Sequence, residues 1–206
     1  MQNNRIKEKS RNYFNELAQA ENGYDIPEPK KCYPYIIDVI EKIGDRKSKI
    51  LDIGCGEGDV LLQLSEMGYT SLYGVDLSDE AVKRAKELNP KINFTVGDVE
   101  QLPFDDEEFD VIVCSHSFHH YPDPALAMSE MYRALQRNGR LLLVENDTFF
   151  LRRICINISL MLRHHPAGDI RWYSRNKLCR LAEKAGFSYA HCETITNRSA
   201  MLEAVR

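Results

Sequence analysis

Three carboxylates, Asp52, Asp76 and Asp98, each stand near the end of a short apolar run, and the first opens into the alternating glycines Gly54, Gly56 and Gly58. Bare backbone where a strand hands over to a helix lets a ligand lie against main-chain N–H groups with no Cβ in the way. Gly74-Val75-Asp76-Leu77-Ser78 places a carboxylate 22 residues after Gly54. There it can accept hydrogen bonds from both hydroxyls of a ribose, while Ser78 caps the following helix. Asp98, directly after Gly97, can accept from an adenine amine, with Val99 and Leu102 as apolar walls for the ring. The competing readings are a helix cap or exposed acid for Asp76, and a tight turn without a ligand for the glycines.

Spacing separates the kinds of glycine loop. A phosphate loop needs Lys followed by Ser or Thr after its last Gly, and Asp59 and Val60 stand there. The dinucleotide fingerprint wants a third Gly three residues after the second, but Asp59 holds that position and Gly58 comes one residue early. An acid so near a helix N-terminus also disfavours a bound pyrophosphate. What remains is Asp-x-Gly-x-Gly-x-Gly at Asp52, Gly54, Gly56 and Gly58, which resembles the first motif of the class I S-adenosylmethionine (SAM)-dependent methyltransferases.

Two further stretches carry the same resemblance. Gly97-Asp98-Val99-Glu100-Gln101-Leu102-Pro103-Phe104 is similar to that family's Gly-Asp-x-x-x-Leu-Pro-Phe motif, and His119-His120-Tyr121-Pro122-Asp123-Pro124 to the branch that includes the ubiquinone and menaquinone biosynthesis methyltransferases. The resemblance implies SAM as cofactor, with S-adenosylhomocysteine as its product, held by Asp52, Gly54, Cys55, Gly56, Asp76, Leu77, Asp98, Val99 and Ser115. It implies methyl transfer to an O, N or C nucleophile of a small molecule. SAM offers a sulfonium, an ammonium, a ribose diol and an adenine amine, so an acidic loop suits it better than it suits NAD. A NAD-linked oxidoreductase and a SAM-binding protein without catalysis are the alternatives.

Methyl transfer gains most from aligning two reactants, and a base is needed only if the nucleophile must lose a proton. His119 and His120 are the catalytic candidates, because imidazole titrates near neutral pH. A histidine at a helix start bonded to backbone is the competing role. Tyr24, His116, Arg163 and Trp172 are the substrate-side candidates. Between Arg152 and Lys177 stand six Lys or Arg against Asp169 alone, which suits an anionic, partly apolar acceptor or else a solvated basic helix face.

These residues need a scaffold of alternating strands and helices. Strands are predicted at 50–53, 71–75, 92–96, 109–114 and 140–145, and helices at about 58–67, 79–88 and 124–136. Helices at 5–20 and 33–43 precede them, helices at 151–162 and 175–184 follow, and strands 187–195 and 200–205 close the chain as a hairpin. The expected fold is α/β, a Rossmann-like doubly wound sheet of seven strands, mostly parallel with an antiparallel C-terminal strand and helices on both faces. One domain is expected, with a helical cap over 1–46, a cofactor-binding core over 47–146, and a substrate-side cap helix with the last strands over 147–206.

Composition bounds the rest. The chain has 206 residues, 43% hydrophobic, and a net charge of −4. That is enough for one core and lacks the broad basic footprint of nucleic-acid binders. Six cysteines without a Cys-x-x-Cys pair signal neither a zinc site nor a disulfide framework, so no metal is expected and a reducing cytoplasm fits. Met1 to Arg11 has no apolar signal core, and Ile154 to Leu162 is too short to span a bilayer. The expectation is a cytoplasmic protein with no integral membrane association, and a homodimer is compatible with it.

Overall fold

The structure is a computed structural model that describes residues 2–20, 27–162, 165 and 167–206. Seven strands form one sheet: β1 Ile50–Ile53, β2 Leu72–Asp76, β3 Asn93–Val96, β4 Phe109–Ser115, β5 Leu135–Asn146, β6 Tyr189–Thr194 and β7 Ser199–Val205. Their spatial order is β3-β2-β1-β4-β5-β7-β6. The ladders from β3 to β5 are parallel, and β7 runs antiparallel to both β5 and β6. This is the doubly wound sheet expected from the sequence.

Period-two alternation divides the apolar residues between the two faces. Leu51, Ile53, Ile112, Cys114, Leu141 and Leu143 belong to one buried cluster, while Ile50, Val111, Val113, Leu142 and Val144 belong to the other. Helices α6 (Pro124–Ala134) and α8 (Arg175–Ala185) cover the first face. Helices α3 (Tyr33–Ile43), α4 (Asp59–Glu66) and α5 (Asp79–Leu88) cover the second. Both faces being covered explains why the strands read as continuous apolar runs.

The helix starts follow the side chains that satisfy their first N–H groups. Ser78 Oγ accepts from Ala81 N at 3.0 Å. Asp123 Oδ1 accepts from Ala125 N and Leu126 N, and Pro124 takes the first helical position. Helix α1 (Gln2–Gln19) lies across the start of α5: Asn15 accepts from Ser78 Oγ at 2.6 Å and donates to Asp79 at 3.0 Å.

The largest boundary difference from the sequence reading lies at the start of β5. The helix predicted over 124–136 stops at Ala134, and β5 begins at Leu135 rather than 140. The β4–β5 ladder shifts register between the Phe109–Leu135 and Val111–Arg140 pairs, so Asn138, at φ +65°, and Gly139 form a bulge inside the strand. Helix α7 (Phe150–Leu162) has no buried residue, and its apolar Phe150, Leu151, Ile154, Ile158, Met161 and Leu162 face outward. Among the described residues no helix is long and apolar enough to cross a membrane.

Candidate functional site

Strand order reverses between β1 and β4, and open α/β sheets bind ligands in the crevice beyond the strand ends at that point. A cavity of about 410 Å³ lies there. The β1 to β3 ends contribute Gly54, Cys55, Gly56, Asp76, Leu77, Asp98 and Val99, and the β4 end contributes Ser115, His116, His119 and His120. Lys7 and Phe14 of α1, together with Tyr33, His165 and Asp169, also line it.

The glycine turn has the conformation its residues permit. Gly54, Gly56 and Gly58 have φ of +69°, +54° and +84°, the left-handed region that favours glycine. A Cβ on Gly54 would meet Ser117 Cβ at 2.5 Å. Gly54 N donates to Val75 O at 2.8 Å, which ties the turn to β2.

Asp76 closes the same arrangement from β2. Its Oδ2 accepts from Gly56 N at 2.9 Å and its Oδ1 from Ser78 N at 2.8 Å. Burial raises its pKa, and these N–H bonds pull it back. Asp52 sits beneath the turn, 3% exposed, and does not line the cavity. Burial, with the charges of Asp76 and Asp59, pushes its pKa up to about 8. Asp98 Oδ1 accepts from Glu100 N at 2.9 Å, and its Oδ2 lies 2.6 Å from Lys7 Nζ.

The histidines form a second group. His116 has a φ of +52°, and its ring bridges Ser115 Oγ at 3.3 Å and Ser199 Oγ at 3.1 Å. Burial lowers its pKa. His119, in a short 3-10 helix Phe118–His120, places Nδ1 3.0 and 2.9 Å from the two carboxylate oxygens of Glu145. Burial works against its proton, but the Glu145 charge and hydrogen bond, with Asp169, raise its pKa overall. Burial likewise works against the Glu145 charge, but His119 holds that carboxyl below its ordinary value. His120 Nδ1 stands 3.4 Å from Asp169 Oδ1 and makes no hydrogen bond among the described residues. Burial, and then His119 and His165, push the pKa of His120 well down.

Thus the cofactor candidates other than Asp52 come together around one cavity, and His116, His119 and His120 join them. Trp172 does not reach it: its backbone N–H donates to Asn157 Oδ1 at 2.8 Å, outside the lining. Tyr24 and Arg163 lie outside the described residues. Glu145, Asp169 and Lys7 are additional to the sequence candidates. Glu145 had a signal, because it ends the apolar run Leu141 to Val144 as Asp76 ends β2.

Residues 51–143, β1 to most of β5, match the family described as a methyltransferase domain. The chain is 33% identical over 102 residues to a demethylmenaquinone methyltransferase of Chlorobaculum tepidum, an alignment that covers 50% of this chain and 42% of that protein. It is 36% identical over 103 residues to the uncharacterized methyltransferase YcgJ of Bacillus subtilis, covering 48% and 40%. The chain therefore spans about two fifths of the length of these curated relatives. Among solved structures, Bacillus subtilis YcgJ superposes with a TM-score of 0.73 at 19% identity, covering 86% of this chain and 98% of that one. A SAM-dependent methyltransferase of Mesorhizobium loti gives 0.67 at 18% identity, covering 85% and 97%. Those superpositions carry the fold, the Rossmann-like sheet of class I methyltransferases.

Proposed function

We propose that this chain, whose core carries a methyltransferase domain, is a SAM-dependent methyltransferase acting on an O, N or C nucleophile of a small molecule. The observation that carries the reading is the convergence of Asp76, Asp98 and the Gly54–Gly56 turn on one cavity. The cradle fits the ligand, since the φ of +69° at Gly54 and its approach to Ser117 keep bare backbone at the surface where SAM's methionyl part would lie. SAM supplies a methyl group activated by its sulfonium.

The residues divide the work. Asp76 is held by Gly56 N and Ser78 N with lone pairs left for both ribose hydroxyls. Asp98 accepts from the adenine amine, and Val99 and Leu77 pack on the ring. Asp52, buried and protonated below a pKa of about 8, supports the turn from within the core and does not touch the cofactor. Ser115 and Cys55 border the methionyl part. On the acceptor side, His119 and His120 position the nucleophile, with His116 beside them, because alignment supplies most of the rate in a displacement of this kind. The chain then works as one domain, with residues 1–46 as a cap, 47–146 as the cofactor core and 147–206 as the acceptor side. An acidic chain with six cysteines, none disulfide-bonded, fits a reducing cytoplasm.

A thermal melt with S-adenosylhomocysteine, SAM and NAD tests the reading. A ligand at 100 times its Kd stabilises by about 2.7 kcal/mol. A shift is expected with the two sulfur nucleotides and not with NAD, and Asp76→Ala should lose most of it. A shift with NAD alone would replace the assignment by a nicotinamide-linked one.

A further inference from the structure

His119, His120 and Asp169 each offer one donor atom to a set that lies within 4.8 Å of one another in the wall of the cavity. We propose that these three side chains bind a divalent transition-metal ion such as Zn²⁺. Two imidazoles and a carboxylate suit zinc and its first-row neighbours, whereas Mg²⁺ and Ca²⁺ prefer oxygen alone.

Three features show a built site. Glu145, 1% exposed, holds His119 Nδ1 at 2.9 Å and so leaves Nε2 as the nitrogen with the free lone pair. A carboxylate behind a histidine in this way fixes the tautomer and strengthens the ligand. His120 Nδ1 is buried without a hydrogen-bond partner among the described residues, 3.4 Å from Asp169 Oδ1. A buried ring nitrogen that faces a carboxylate without a hydrogen bond is satisfied when a cation is held between them. The backbone clamps the set, because Ile170 N donates to His119 O at 2.9 Å and holds Asp169 against the histidine pair.

Donors at about 2.1 Å around a tetrahedral ion stand roughly 3.4 Å apart, so binding draws the set in by about an ångström. His165, whose Nδ1 is 3.2 Å from Asp169 Oδ1, orients that carboxylate. The remaining coordination position opens to the cavity shared with Asp76 and Asp98. Resting on the methyltransferase reading, this selects a hydroxyl-bearing acceptor, a phenol or an enol. Its oxygen coordinates the ion and gives its proton to solvent. An oxygen lone pair then forms the bond to the methyl carbon while the carbon–sulfur bond breaks and leaves its electron pair on sulfur.

The test is a Co²⁺ and Zn²⁺ titration of the full chain saturated with S-adenosylhomocysteine, followed by visible absorption and calorimetry. One equivalent is expected, with cobalt d–d bands and no thiolate charge-transfer band. The double variant His120→Ala with Asp169→Asn should lose that site, and Glu145→Gln should weaken it about tenfold. The thermal shift with S-adenosylhomocysteine is expected to persist in these variants, so failure of the metal site and failure of the cofactor reading are separate results. No binding by the wild-type chain, undiminished binding in the double variant, or a thiolate band from the six cysteines would each overturn the proposal.

Discussion

Lys7 Nζ lies 2.6 Å from Asp98 Oδ2 and 2.5 Å from Glu100 Oε2, which pins α1 across the carboxylate assigned to adenine. The pair is only partly buried, with Lys7 19% and Asp98 32% exposed at the side chain. Contacts of that kind contribute about 0 to 1 kcal/mol to stability, so their effect falls on opening rather than on folding.

Lys7→Met is therefore expected to speed both association and dissociation of S-adenosylhomocysteine several-fold, with little change in the melting temperature of the free protein. Stopped-flow fluorescence measures both rates. Unchanged rates would show that α1 does not gate the cavity.

Gly54→Ala tests the cradle. The left-handed backbone at φ +69° and a Cβ placed 2.5 Å from Ser117 act together. The expected cost is at least about 2 kcal/mol, or roughly 4 to 8 °C in a chain of this size, along with loss of the cofactor-induced shift. Differential scanning calorimetry would register it, and a native-like melt with full binding would mean that the turn is slack.

Asp52 gives the pH prediction. Its carboxyl titrates at about 8 when folded against an ordinary value of 3.8. Between these values the unfolded chain has already lost the proton that the folded chain keeps, so this group's contribution to stability declines as pH rises. Asp52→Asn lacks the effect. In urea unfolding, the variant should gain on the wild-type chain steadily from about pH 4 to about pH 8, and a gap independent of pH would place the Asp52 pKa at an ordinary value.

The β1 to β3 side of the site was legible because each piece is local. A strand ending at Asp76, a cap at Ser78 and glycines at 54, 56 and 58 depend on residues a few positions apart. Asn138-Gly139 forms a bulge inside β5, although the sequence pattern carries the helix of 124–136 almost up to it, because the same two residues can stop a helix or kink a strand and only the partner strand selects between them. Trp172 looked like a lining residue by its position among arginines, but its backbone pairs with Asn157 instead.

By itself the sequence determined the strand and helix segments, the α/β class and the acidic cradle, since these follow from apolar periodicity and backbone preferences that every short segment carries within it. The tertiary structure decided which groups face one another: Glu145 behind His119, 26 residues away, Lys7 on Asp98, 91 residues away, and Asp169 beside His120. Such pairs are fixed by strand order and by loops that cross the sheet. Hydrogen bonds and charges act through distance in space, and one chain segment holds no record of what another brings to it.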